Sequence, residues 1–247
     1  MSRVDQVLVE RGICESREKA RRAVLAGQVR INGRRAAKPS DPVKGSDNVS
    51  LDQPEKYVSR GGLKLEHGLD HFQLNVAGQT AIDLGASTGG FTDCLLQAGV
   101  ARVVAVDVGH GQLAWKLRQD PRVVVMERTN ARSLTAARFP APFSPFQLAV
   151  IDCSFISLKK ILPAAIALLG SPGKILALVK PQFEAGRTEA DKGAGVIKDP
   201  AIHARVLREL KVFVKGETSL SWRGETESPL LGPAGNREFL ILLEKSA

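Results

Sequence analysis

The stretch from Ala81 to Asp93, AIDLGASTGGFTD, limits the fold more than any other part of the chain. An apolar run ends in an acid, glycines follow without room for a long loop, and a helix-compatible run starts at once. The next apolar run, 102–108, comes after that one helix. Two strands joined through a helix lie parallel, and parallel strands need helices over both faces. The same alternation predicts strands over 80–84, 102–108, 122–126, 147–152 and 174–180. Helices are expected over 63–72, 90–98, 112–118, 158–169 and 200–213. The last two runs, 216–222 and 237–244, have no helix between them, and Gly232, Pro233 and Gly235 sit in their connection, which predicts an antiparallel hairpin. The reading is α/β, a Rossmann-like seven-stranded sheet.

The first 50 residues differ. They hold 11 Lys and Arg against 6 Asp and Glu, an excess of 5 in a chain whose total is +9. Val4, Val7 and Leu8, then Ala20, Ala23 and Val24, recur at helical spacing. Ser16 fits an N-cap for a helix over 17–26, with Gly27 as its stop. In QVRINGRR, Val29 and Ile31 flank Arg30, and Asn32-Gly33 marks a hairpin turn. Residues 38–55, with Pro39, Pro42, Gly45 and Pro54, read as a last strand near 48–51 and a linker. The expected division is a small α+β domain with its linker over 1–55 and the sheet domain over 56–247.

Gly85-Ala-Ser-Thr-Gly89 also fits the elbow of a serine hydrolase, with Ser87 as nucleophile, Asp152 and His203 following in triad order. However, His203 lies inside a helical run, where a catalytic His of such folds does not sit. A phosphate-binding Walker loop fails because Phe91 follows Gly90, and the spacing misses G-x-G-x-x-G. A cofactor cradle explains more residues. Asp83 ends one strand, Gly89 and Gly90 would let a ligand approach the backbone, and Asp107 ends the next strand, where an acid accepts hydrogen bonds from ribose hydroxyls. A ribose-bearing ligand with a cationic part suits two such carboxylates, and S-adenosylmethionine carries a ribose and a sulfonium. Asn130, after the third strand, is placed beside the adenine.

Parallel strands end at one edge of the sheet, where ligands bind. Asp152 ends the fourth strand and Lys180 the fifth; Glu238 starts the last, which an antiparallel direction brings to the same edge. Lys64 opens the helix before the first strand. A lysine ending an apolar strand is either a snorkelling surface residue or a functional one. Paired with Asp152 and Glu238 a functional role is favoured, because a desolvated, hydrogen-bonded lysine can have its pKa lowered enough to act as a base.

The segments YVSRGGLKL, DLGASTGGFTD, AVDVGHGQLAWKLR, DCSFISL, VKPQFEAGR and GNREFLILL together resemble the TlyA family. Its members are S-adenosylmethionine-dependent rRNA 2′-O-methyltransferases, historically also called haemolysins, with an FtsJ-like catalytic domain. The resemblance covers nearly the whole chain and implies a catalytic tetrad at Lys64, Asp152, Lys180 and Glu238. It implies cofactor contacts at Gly85, Ala86, Ser87, Gly89, Gly90, Phe91, Asp107 and Val108 beside Asp83, Asn130 and Asp152. It also implies an amino-terminal S4-type RNA-binding module, matched by ESREKARRAVLAGQVRINGR, and cytidine 2′-O-methylation in rRNA of the small subunit, the large subunit or both.

In that reading Lys180 draws the proton from, or orients, the ribose hydroxyl; Asp152 and Glu238 position it, and Lys64 balances their charge. Arg17, Lys19, Arg21, Arg22, Arg30, Arg34 and Arg35, with one acid (Glu18) among them, form the expected phosphate-contacting surface, joined by Arg3 and Asn32. Arg187 and Lys192, after Lys180, are further candidates to clamp RNA. The expected partners are ribosomal RNA or ribosomal subunits. Three scattered cysteines give neither a disulfide framework nor a metal site, which points to a reduced, cytoplasmic protein. The longest apolar run, 162–169, is too short for a bilayer. Two other functions compete: a membrane-acting haemolysin, which liposome leakage would reveal, and a non-catalytic RNA-binding protein, which would transfer no methyl group.

Overall fold

Two units, Met1–Glu55 and Lys56–Ala247, partition the contacts of the chain. The computed structural model describes residues 1–246 apart from 53, 54, 187, 188, 190 and 192. The candidate RNA contacts Arg187 and Lys192 therefore lie outside the described residues.

The first unit runs β1 (Ser2–Arg3), α1 (Val4–Glu10), α2 (Arg17–Leu25), β2 (Val29–Ile31), β3 (Arg34–Arg35), β4 (Pro42–Val43) and β5 (Val49–Leu51). Ser16 caps α2 by accepting the N–H of Lys19 at 3.3 Å, and Gly27 ends the turn with φ +71°. The apolar faces of both helices, Val4, Val7, Leu8, Ala20, Ala23 and Val24, close over Val29, Val43 and Val49. Strands β3, β2 and β5 form one antiparallel sheet, and β1 pairs with β4. The last strand expected near 48–51 is β5, and the part of 38–55 expected as linker holds a further strand, β4. The carboxylate of Asp41 takes the N–H groups of Ala37 and Lys38, which turns the chain into β4, and β4 buries Val43. Short two-residue strands leave no periodic signal, which is why proline spacing there reads as linker.

The second unit holds α3 (Gly61–His71), β6 (Thr80–Leu84), α4 (Gly90–Gln97), β7 (Arg102–Val106), α5 (Trp115–Arg118), β8 (Val123–Met126), β9 (Phe146–Ile151), α6 (Leu158–Leu168), β10 (Leu169–Val179), α7 (Pro181–Glu184), α8 (Pro200–Glu217), β11 (Leu220–Glu227) and β12 (Phe239–Lys245). One seven-stranded sheet has the order β11-β12-β10-β9-β6-β7-β8. Strands β8, β7, β6, β9 and β10 are parallel, and β12 runs antiparallel between β10 and β11. Helices cover both faces, so strand residues such as Ile82, Leu84, Leu148, Val150, Leu176 and Leu178 are buried on either side.

Several expected bounds shift, and the strand expected over 174–180 begins already at Leu169. The helix expected over 200–213 continues to Glu217, where the Thr218 hydroxyl donates to Val214 O at 2.7 Å, so the next strand begins at Leu220 and not at 216. The helix expected over 112–118 shortens to α5, because Ala114 is extended (ψ 139°) and its N–H donates to Thr88 O. Strand β7 stops at Val106, which leaves Asp107 and Val108 in the loop at the carboxyl edge.

Candidate active site

The carboxyl edge of the sheet carries two adjoining cavities, of about 420 Å³ and 270 Å³. They share Gly85, Ser87, Asp152 and Ser154. A wider cleft of about 550 Å³, between Lys159 and Arg208, Val212 and Glu217, has neither a glycine turn nor a strand-end aspartate.

The larger edge cavity follows from the ends of β6, β7 and β9. Asp107 Oδ2 accepts the N–H of Ser87 at 2.8 Å and its Oδ1 the N–H of Gly109 at 2.7 Å. One carboxylate thus ties the glycine turn to the loop after β7, and each oxygen retains a lone pair for a further donor. Ser87 is held at φ +49°. Val108, Asn130, Ala131, Ile156 and Ile161 supply the rest of the wall, with Thr129 and Gln112. Asn130 Oδ1 also accepts the N–H of Arg132, which fixes the amide at the cavity. An apolar slot ending in a strand-tip carboxylate fits an adenosine group in size and in chemistry.

Five of the expected cofactor residues line only the other cavity or neither. Ala86, Gly90 and Phe91 border the smaller one. Asp83 and Gly89 line neither. Asp83 is fully buried; Thr92 Oγ1 donates to its Oδ2 at 2.7 Å, and its Oδ1 has no partner among the described residues. Burial pushes its carboxyl up to about 7, with the Thr92 hydrogen bond opposing and the Asp152 charge adding to the rise. The glycines serve chain packing. A side chain at Gly85 (φ +93°) would meet Asp152 O at 2.8 Å, and one at Gly89 (φ +96°) would collide with Leu117. Gly90 leaves room for Ser59 in the same way.

The smaller cavity gathers Lys64, Asp152, Lys180 and Glu238. Val179 and Phe239 are register partners across β10 and β12, so Lys180 leaves β10 where Glu238 enters β12. Lys180 Nζ lies 2.6 Å from Asp152 Oδ1 as an ion pair and donates to Ser154 Oγ at 2.8 Å. Lys64, from the first turns of α3, pairs with Glu238, and both are buried. Behind them Glu184 accepts from Ser157 Oγ at 2.6 Å and from Leu158 N–H at 2.7 Å, which locks α7 to the start of α6. Burial raises the Glu184 carboxyl, against those two bonds. Burial likewise pushes the Cys153 thiol up to about 12, which keeps it an inert thiol on the cavity wall.

The hydrolase reading fails on geometry. His203 is buried in α8 with Nε2 3.0 Å from Ile197 O, and Ser87 Oγ faces Gln112 at 3.4 Å. Sequence reasoning also missed Ser59, Arg60, Ser154, Phe155 and Pro233 as lining residues. Ser154 and Phe155 directly follow Asp152 in DCSF, a signal that was present in the sequence.

In the first unit the basic residues separate into groups. Arg3 donates twice to the buried Asp5, at 3.0 Å each, and Arg17 lies 3.6 Å from it. The Arg3 hydrogen bonds hold the Asp5 carboxyl below the usual range despite its burial. Lys19 pairs with Glu15, Arg22 with Glu18 and Arg30 with Asp52. Arg21, Arg34 and Arg35 have no ion-pair partner among the described residues. Asn32 is a turn residue (φ +48°), with its amide donating to Asp47 and accepting from Asn48 N–H.

Comparison with known proteins agrees with this architecture. The FtsJ-like methyltransferase family matches residues 57–245 and the S4 domain matches residues 2–49. The chain is 46% identical over 246 residues to the 16S/23S rRNA (cytidine-2′-O)-methyltransferase TlyA of Mycobacterium tuberculosis, covering 98% of this chain and 89% of that one. It is 50% identical over 242 residues to a Bacillus subtilis protein named "Putative rRNA methyltransferase YqxC", covering 98% and 85%. A solved structure named "Putative hemolysin" from Streptococcus thermophilus superposes with a TM-score of 0.75 at 46% identity, covering 99% of this chain and 88% of that one. With an S4 domain ahead of an FtsJ-like methyltransferase domain and full-length relatives of this kind, the chain belongs to the TlyA family.

Proposed function

We propose that this protein transfers a methyl group from S-adenosylmethionine to the ribose 2′-hydroxyl of cytidine in ribosomal RNA. The reading rests on one observation above all: the two edge cavities adjoin through Gly85, Ser87, Asp152 and Ser154. One has the slot and carboxylate for an adenosine, and the other holds the lysine-carboxylate group. The family membership and the rRNA activity named for its relatives support the substrate class.

S-adenosylmethionine, when bound, supplies an electrophilic methyl group on a sulfonium and leaves as a neutral thioether, so the proton of O2′ is the one charge the protein must take up. Asp107, Asn130 and Val108 would hold the adenosine part; Asp152, shared by both cavities, would face the methionine part. Lys180 Nζ, after releasing its own proton to solvent, would accept the proton of O2′ as an amine. Asp152 holds that nitrogen, and the buried Lys64–Glu238 pair keeps the wall of the cavity neutral and dry. Orienting the hydroxyl in line with its target is worth roughly 7–11 kcal/mol. Arg21, Arg34 and Arg35, without an ion-pair partner among the described residues, would contact phosphates. No described helix is long and apolar enough to cross a membrane.

The test is incorporation of labelled methyl groups into rRNA and into ribosomal subunits, with ribose methylation mapped afterwards. Lys180→Ala should lower kcat by about 10²–10⁴, the usual worth of a general base, while cofactor affinity stays the same. Equal transfer by wild type and variant would remove Lys180 from the mechanism. Transfer to no rRNA substrate would favour a non-catalytic RNA-binding protein.

A further inference from the structure

We infer that Ser154 is a positioning residue for Lys180, one that aims its proton-accepting lone pair at the ribose hydroxyl. The inference rests on the reading of Lys180 as the proton acceptor.

A lysine that takes up a proton enters the step as an amine, with two N–H groups and one lone pair. The lone pair is useful only if rotation about the terminal C–N bond is fixed. Asp152 Oδ1, 2.6 Å from Nζ, occupies one direction around the nitrogen. Ser154 Oγ, at 2.8 Å, accepts an N–H along a second. With both N–H directions taken, the third is left for the lone pair, and without Ser154 the second N–H and the lone pair could exchange places. Ser154 also lines both cavities, so it stands at the junction across which the methyl group passes.

The local chain holds Ser154 in that place. Phe155, next in sequence, has a left-handed backbone (φ +62°), and Ser157 and Leu158 are anchored on Glu184 of α7. The α7 helix begins immediately after Lys180. The serine and the lysine are therefore carried on two strand ends that are tied together behind the site. Ser154 itself is exposed, which leaves room for the extra methyl group of threonine.

The experiment compares wild type, Ser154→Ala, Ser154→Thr and Lys180→Ala in the full-length protein, with steady-state methyl transfer to rRNA, calorimetric binding of S-adenosylmethionine and thermal melting. Ser154→Ala should lower kcat about tenfold, the factor an ordinary hydrogen bond supplies. The KM for both substrates, the cofactor Kd and Tm should stay at wild-type values, and Ser154→Thr should restore most of the rate. An unchanged kcat in Ser154→Ala overturns the inference while leaving the Lys180 reading intact, provided Lys180→Ala is impaired. A loss that comes with weaker cofactor binding or a lower Tm, or that threonine does not restore, makes Ser154 a mere wall residue and also overturns it. Wild-type activity in Lys180→Ala removes the underlying reading instead.

Discussion

Lys64 and Glu238, 174 positions apart in sequence, form an ion pair whose side chains are 8% and 1% exposed. Two charges at this depth are tolerable only together, because each alone carries an unrelieved desolvation cost. Glu238→Ala should destabilise the sheet unit by about 3–5 kcal/mol. The double variant Lys64→Met/Glu238→Leu should recover much of that stability and no activity. Denaturant unfolding of the three proteins, paired with methyl-transfer assays, separates the structural from the chemical share.

Asp107 is tied to both walls of its cavity through the N–H groups of Ser87 and Gly109. In Asp107→Asn one oxygen becomes a donor facing a donor. The cofactor Kd should rise roughly 10- to 100-fold, the worth of hydrogen bonds to a charged acceptor. Titration calorimetry with S-adenosylmethionine measures it; an unchanged Kd would place the ribose elsewhere.

Asp83 makes stability depend on pH with a defined sign. Its folded carboxyl is pushed up to about 7 by burial, from an ordinary value of 3.8. Between about pH 4 and pH 7 the folded protein keeps a proton that the unfolded chain has released, so stability falls as pH rises through this window and levels off above it. Asp83→Asn keeps the acceptor for Thr92 and removes the titration. Melting curves should show wild type losing stability relative to Asp83→Asn from pH 4 to 7, by an amount of the order of a few kcal/mol.

The basic residues of the first unit should divide in the same way under mutation. Arg21→Ala, Arg34→Ala and Arg35→Ala should each weaken rRNA binding and reduce the salt slope by about 0.7–0.9 per phosphate contact. They should leave the melting temperature unchanged. Arg3→Ala should in addition destabilise the unit, because the buried Asp5 loses two hydrogen bonds. Filter binding at several salt concentrations, with melting curves alongside, tests both halves.

Much of this site was legible before any coordinates. The places of Asp107, Asp152 and Lys180, each the residue just past a strand, and the reversed last strand follow from periodicity and turn residues, because a parallel sheet sends every such end to one edge. Depth was not legible. A strand residue's face and a strand-end residue's exposure depend on what packs over it, and so Asp83, read as a ligand, is enclosed beneath Thr92. Gly89 likewise looked like space for a cofactor, whereas Leu117 fills that space. DCSF puts Ser154 next to the edge, but its distance to Lys180, 26 positions away, is not encoded in that local pattern.

The reversed strand β12 has a consequence for biosynthesis. The carboxylate that neutralises the ammonium of Lys64 is made 174 residues after it. Until it arrives, the helix carrying Lys64 must hold a solitary charge in water or leave its seat on the sheet. The pocket is therefore completed only when β12 emerges, and a nascent fragment that stops short of residue 238 lacks both the strand that joins β11 to β10 and the partner of Lys64.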